Sequence, residues 1–529
     1  MTVRTCVRPL LGVLLAASAF LAQAGEPPQL VHHDGRFALM VDGRPFTVLA
    51  AQLNNSSAWP DVLPEVWPAV EAVHANTVEA PVYWEQFEPR PGQFDYTNID
   101  ALVTQARAHH VHLILLWFGT WKNGQMHYVP TWIKDDPTHY PRMLDADGQP
   151  IEVLSPYSAA NLQADRTAFV ALMKHLRAID GDRHTVIMVQ VENEPGAIGT
   201  VRDHGAAADR AFAGPVPTTL AQALHKPAGS WRQLFGADAA EAFAAYGIAD
   251  YIQQVAAAGK AVYPLPMYVN TWLRYKGKHL PGIDYPSGGA TWNVLDIWKA
   301  TVTSIDLIGT DLYTDDYHEF TRVVGQYHRP DNPSWISETG FEAGTAKFLF
   351  YILGKGGIGF STFGVDGHDT DAAGKAASQA YARNYGAIGA IDRIVASAAY
   401  EGRLQAVVEQ RGQPKRVLRF GHWRIDVSFG APAWGDAPPI LAGNPHDNGH
   451  VLVIQLDPHT FLVTGFHARV EFKRTAQDGR RGQLLRVEEG DFEHDGRWHS
   501  RRWLNGDQTD YGLNFGDDSR LLRVTVGSY

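Results

Sequence analysis

The chain has 529 residues, 45 % of them hydrophobic and 19 % charged, which supplies a large buried core and argues against disorder. Asp and Glu number 57 against 46 Lys and Arg, and the resulting formal charge of −11 argues against a nucleic-acid-binding protein. Cys6 is the single cysteine, so neither a disulfide framework nor a cysteine-based zinc or iron–sulfur site is possible.

At the N-terminus Arg4 and Arg8 precede the apolar run 10–21, and Ala22-Gln23-Ala24 places small residues where a signal peptidase cuts. This three-part layout predicts a secretory signal peptide over 1–24 and an exported protein, periplasmic or extracellular. The other reading is a buried N-terminal helix. The run is too short for a membrane anchor, and no later stretch reaches about 18 consecutive apolar residues, so no membrane span is expected.

From there to about residue 365, short β-type runs alternate with Ala-rich amphipathic segments. The strands are expected at 46–53, 77–84, 111–118, 186–192, 266–271, 307–313, 334–337 and 357–363, with helices between them such as 99–110, 166–179 and 239–258. Most of the runs are continuously Val/Ile/Leu-rich, as parallel strands covered on both faces are. Eight strands separated by helices predict a (β/α)₈ (TIM) barrel, assigned to residues 25–395. The rival, a doubly wound open sheet, would carry a glycine-rich turn after its first strand, and Leu53-Asn54-Asn55-Ser56-Ser57 is not one. Beyond 395 the texture changes to short strands at 403–409, 417–420, 424–429, 451–456, 461–464 and 521–526, broken by Gly, Pro, Asp and Asn. Residues 396–529 are therefore expected to form an all-β, sandwich-like domain, with a Gly/Pro/Asp-rich loop at 430–450.

In such barrels chemistry is carried at the C-terminal ends of the strands. The fourth strand ends in Val189-Gln190-Val191-Glu192-Asn193-Glu194-Pro195-Gly196, and the seventh in Trp335-Ile336-Ser337-Glu338-Thr339-Gly340. Acids are depleted in strands, and a buried carboxylate is costly unless paired. Two of them at one barrel mouth form the pair that glycoside hydrolysis needs, one protonated to assist the leaving group and one ionised to attack the anomeric carbon. Helix capping is the competing explanation for either acid alone. The amide of Asn193, beside Glu194, suits the sugar 2-hydroxyl.

These residues resemble the clan of retaining (β/α)₈ glycosidases whose acid/base is the Glu of an Asn-Glu pair ending strand four and whose nucleophile is a Glu ending strand seven. Within it, Gln190-Val191-Glu192-Asn193-Glu194 resembles the Gln-x-Glu-Asn-Glu signature of glycoside hydrolase family 35, the β-galactosidases. Asn76-Thr77-Val78 through Trp84 to Glu88-Pro89 and Gly92-x-Phe94-Asp95 is similar to that family's second-strand region, and Pro130-x-Trp132 to its segment after strand three. The sequence departs from better-known members at Pro81 and Pro195, where they carry Tyr. It departs again near Asn123-Gly124, where they carry Ala-Glu, and at Phe360-Ser361-Thr362-Phe363-Gly364, where they carry Asn-x-Tyr-Met. The strand-one turn and the C-terminal β-domain resemble a bacterial branch associated with removing galactose from plant cell-wall side chains, notably of xyloglucan.

The resemblance implies Glu194 as acid/base, Glu338 as nucleophile and Asn193 as a sugar-hydroxyl ligand. Glu192, two residues before Glu194 and so on the same strand face, is expected to reach the sugar, or else to be a salt-bridged carboxylate of the barrel interior. Tyr313 either orients the nucleophile through its phenol or is a rim residue, and Asn123 and Tyr83 are further candidates for the same pocket. Among Trp117, Trp121, Trp132, Trp272, Trp292 and Trp298, two or three are expected as sugar platforms and the rest as packing. The adjacent pairs His32-His33 and His109-His110 point to opposite faces and chelate poorly, so neither a metal nor a cofactor is implied, and the expected partner is a carbohydrate. Two alternatives stay open: another clan activity, such as a β-glucosidase or endo-glucanase, and a non-catalytic carbohydrate-binding barrel.

Overall fold

A computed structural model describes residues 26–367, 371–430, 442–476, 478–493 and 496–529. The expected signal peptide and most of the loop 430–450 lie outside the described residues. Eight parallel strands form the barrel: β1 (Val48–Gln52), β2 (Thr77–Tyr83), β3 (His112–Lys122), β4 (Val186–Asn193), β5 (Met267–Val269), β6 (Leu307–Ile308 and Thr310–Asp311), β7 (Trp335–Glu338) and β8 (Gly359–Phe363). They follow one another in chain order around the ring, and β8 pairs back onto β1 from Gly359↔Val48 to Phe363↔Gln52. Every residue of β1, β2, β4 and β7 is buried. That is why these segments read as continuous apolar runs: one side of each strand fills the barrel and the other meets the helices.

β6 is split at Gly309, its first half pairing with β5 and its second with β7. The glycine is required by proximity, since a Cβ there would stand 2.4 Å from Ser337 Oγ. The start of β4 is pinned by the wholly buried Asp180, which accepts from the N–H groups of Thr185 and Val186 at 3.1 and 2.7 Å and from Arg107 at 2.6 Å. A three-stranded antiparallel sheet, Gln29–His33, Arg36–Val41 and Arg44–Phe46, closes the N-terminal end of the barrel. It is tied there by His184 Nδ1 to Asp42 at 2.9 Å and by Arg393 donating to the carbonyls of Val41 and Arg44. The C-terminal mouth is left to the chemistry-bearing loops.

Helix Asp392–Tyr400 runs through residue 395, and the first strand of the C-terminal part is Leu404–Val408. Two antiparallel sheets follow, one of six strands and one of four. Strand His450–Asp457 shows how they are layered. Val451 and Val453 enter the core between the two sheets, while Leu452 and Ile454 join the core of the barrel. Buried on both faces, this strand carries an unbroken apolar run although its sheet is antiparallel. Among the described residues no helix is long and apolar enough to cross a membrane.

Candidate active site

Glu338 ends β7 at the barrel mouth and is buried. One carboxylate oxygen accepts from Gln52 Nε2 at 2.7 Å, and the other accepts from the Tyr313 hydroxyl. Gln52 ends β1 and Tyr313 follows β6, so donors from two other strands converge on this carboxylate. Burial, and next the charge of Glu338, push the Tyr313 phenol up, which keeps it a donor.

At the end of β4 the backbone leaves the extended region twice, with φ of +65° at Glu192 and +44° at Glu194. Non-glycine residues in this left-handed region cost on the order of 1–3 kcal/mol each and persist where surrounding contacts over-determine them. Here the Glu194 N–H donates to Asn270 Oδ1 at 2.7 Å, and its carbonyl accepts from the Gly124 N–H at 3.0 Å. Asn270 in turn donates through Nδ2 to Asp311 Oδ2 at 2.7 Å, and Ser337 Oγ donates to Asp311 Oδ1 at 2.8 Å. Asp311 also hydrogen-bonds the Glu194 side chain, so three carboxyl groups share the mouth.

They do not share it equally. Burial, and after it the charge of Glu338, raise Glu194 to about 7, against the opposing charge of Lys122 and the hydrogen bond from Asp311. Burial also holds Asp311 well above the ordinary carboxylate range, with Glu338 and then Glu194 adding to it. A carboxyl that keeps its proton near neutrality thus shares the mouth with one that receives two hydrogen bonds. This separation of roles is the one general acid and nucleophile require.

Asn193 is wholly buried; its Oδ1 accepts from Lys122 Nζ at 2.9 Å, while Nδ2 has no partner. Asn123, with φ of +55°, stands between Lys122 and the Gly124 N–H that binds Glu194, and its Oδ1 is likewise unpartnered. The hydroxyl of the buried Tyr83 accepts from the Ala58 N–H at 3.1 Å, and its ring stacks between Trp59 and Tyr128 at 5.5 Å from each. Tyr83 therefore shapes the loop after β1.

At Glu192 the chain leaves the regular strand. Its left-handed φ ends the two-residue alternation on which the same-face argument rested. Its carboxylate accepts from the Trp121 N–H at 2.7 Å, and burial followed by the charge of Asp165 pushes its pKa well up. Fully buried against Trp121 and Asp165, it is an interior carboxyl with no salt bridge among the described residues.

Trp117, Trp121 and Trp298 are core side chains, and Trp132 Nε1 donates to the Glu88 carbonyl at 3.0 Å. Trp272 and Trp292, 37 % and 42 % exposed, stay open in the loop after β5, where Trp272 bridges to Asp311. Four residues of the network escaped the sequence reading: Gln52, Lys122, Asn270 and Asp311. Each lies at or just beyond the C-terminal end of a barrel strand, and that position was the available signal.

Residues 38–264 match the family described as glycosyl hydrolases family 35, and residues 381–516 match a domain of unknown function, DUF5597. A curated β-galactosidase from Xanthomonas manihotis is 29 % identical over 218 residues, 39 % of this chain and 33 % of that protein, so the match spans about a third of the relative's length. Among solved structures, a β-galactosidase from Bacillus circulans sp. alkalophilus aligns over 90 % of this chain and 99 % of its own, with TM-score 0.47 and 10 % identity. The cold-adapted β-galactosidase from Rahnella sp. R3 aligns over 70 % and 59 %, with TM-score 0.45 and 16 % identity. The Gln-x-Glu-Asn-Glu segment at the end of β4 lies inside the region that matches glycosyl hydrolases family 35, so the barrel of this chain is similar to that family where its candidate acid/base stands.

Proposed function

We propose that the protein is an exported retaining exo-β-galactosidase that releases terminal β-galactose from plant oligo- or polysaccharide side chains, those of xyloglucan among them. The observation that carries this reading is the contrast between Glu194, which keeps its proton up to about pH 7, and Glu338, which receives two hydrogen bonds. In the first step a Glu338 oxygen attacks the anomeric carbon while Glu194 gives its proton to the departing oxygen, leaving a glycosyl ester on Glu338 and a Glu194 carboxylate. In the second, that carboxylate takes a proton from water as the water oxygen attacks the same carbon, and Glu338 leaves. The unpartnered Nδ2 of Asn193 donates to the oxygen of the 2-hydroxyl, a contact that tightens in an oxocarbenium-like transition state.

The test is hydrolysis of aryl β-galactoside against its gluco epimer, with proton NMR of the first-formed sugar. The galactoside is expected to react well over tenfold faster. Polar groups set for an axial 4-hydroxyl go unpaired with the wrong epimer, at a penalty of about 1–3 kcal/mol. The first product is expected as the β anomer. Equal rates on the two epimers overturn the galactose assignment, and the α anomer overturns the double displacement. Export is tested separately: exported protein is expected to begin near Gly25, and a mature N-terminus still carrying Arg4 and Arg8 removes the signal-peptide assignment.

A further inference from the structure

Lys122 is the last residue of β3 and stands in register beside Asn193 of β4. It is buried, and its ammonium lies 4.8 Å from the centre of the Phe118 ring. Among the described residues no ion pair joins it to a carboxylate, so its one short polar contact is the 2.9 Å hydrogen bond to Asn193 Oδ1. A lysine at the mouth of a site built for a neutral sugar has no evident substrate charge to meet, so its use lies in what it touches.

An asparagine amide can present either a donor or an acceptor, and the partner on one end decides which group remains at the other. The lysine ammonium has donors only. It therefore binds Oδ1 and leaves Nδ2 as the free group, and Nδ2 is the atom found buried without a partner. An acceptor in place of Lys122 would turn the amide over and set Oδ1 toward the sugar. Among the described residues, the same ammonium is the cation set against the acids around Glu194. The other groups acting there are Glu338 from β7, Asp311 from β6, Tyr313 just after β6 and Tyr275 from the loop after β5, all of them acids or phenols.

We propose that Lys122 is a positioning residue of the glycosidase reaction: its hydrogen bond to Asn193 Oδ1 delivers Nδ2 to the 2-hydroxyl oxygen of the sugar. The proposal rests on the glycosidase reading above. The Lys122 ammonium also acts on Glu194, which without that charge would hold its proton to higher pH among the surrounding acids.

The experiment compares wild type and Lys122→Met on an aryl β-galactoside and on its 2-deoxy analogue, with a pH profile of kcat/KM for each. The Met variant is expected to lose roughly 10- to 100-fold on the parent glycoside, the range of a hydrogen bond to a charged group. On the 2-deoxy analogue, which lacks the oxygen that Asn193 meets, the loss is expected to stay below about threefold. The alkaline limb is expected to move to higher pH. Equal losses on the two substrates overturn the positioning role, and an unmoved alkaline limb overturns the electrostatic one. Lys122→Gln, which drops the charge but keeps an N–H donor, supplies the pH test should the Met variant not fold. A wild type that cleaves no aryl glycoside overturns the glycosidase reading itself, a result separate from either outcome in the variants.

Discussion

Replacing Glu338 by alanine is expected to reduce turnover of every β-galactoside by on the order of 10⁴–10⁶, the scale seen when a nucleophile is removed from an enzyme that works through a covalent intermediate. The loss should not depend on the leaving group, because the missing bond is the one to the anomeric carbon. Added formate or azide should restore turnover of activated aryl glycosides by entering the space left by the carboxylate. A small anion attacking from that side displaces once, so the rescued product with azide is the α-galactosyl azide. The companion measurement uses wild type and a 2-deoxy-2-fluoro-β-galactoside with a good leaving group. Fluorine destabilises both oxocarbenium-like transition states, and the leaving group compensates only in the first, so the ester should accumulate. Peptide mapping is expected to place the label on Glu338. A label on Glu192 or on Glu342, four residues beyond Glu338, or a β-configured azide from the alanine variant, assigns the nucleophile elsewhere. The two groups holding Glu338 predict a graded series: losing the Gln52 amide or the Tyr313 hydroxyl removes one of two donors, and should cost far less than removing the carboxylate.

Much of the barrel was legible because burial on both faces leaves one signature, a short Val/Ile/Leu run, and all eight such runs are strands of the ring. Glu194 and Glu338 were legible for the converse reason, as acids ending apolar strands. What failed depended on neighbours distant in sequence. Glu192 shares the spacing of a same-face residue, and only the left-handed backbone at 192 sends its carboxylate to Trp121. The split of β6 at Gly309 follows from Ser337, which lies on another strand. Gln52, Lys122, Asn270 and Asp311 look like ordinary polar loop starts until the ring closes and brings β1, β3, β5 and β6 to one mouth. In the C-terminal part, Ala468–Arg474, Gly482–Phe492 and Trp498–Trp503 went unread as strands. Their exposed faces carry Arg, Glu, Lys and His, which leaves no apolar run and only a charged alternation.

Glu194→Gln is expected to separate substrates by their leaving groups. An amide cannot donate a proton to a departing alkoxide, so kcat/KM on alkyl β-galactosides should fall by about 10²–10⁴, the usual worth of a positioned general acid. A dinitrophenyl galactoside leaves without protonation and should form the glycosyl-enzyme at nearly the wild-type rate, then stall for want of a base. Azide needs no base and should relieve the stall, giving the β-galactosyl azide. Wild-type activity should decline as pH rises through about 7, where Glu194 loses its proton, and the variant should lack that limb. Wild-type stability should fall over the same pH range. A carboxyl whose native pKa is raised above its unfolded value of 4.5 binds more protons folded than unfolded. The stability tied to that proton is present below pH 4.5 and is lost as pH climbs through 7. With the pKa displaced from 4.5 to about 7, the loss is on the order of 3 kcal/mol. Glutamine carries no charge to bury, so the variant should melt above wild type at pH 8, with the gap closing toward pH 4. An equal loss of activity for every leaving group would show that Glu194 is not the acid, and a melting difference independent of pH that it is not the carboxyl whose proton the fold retains.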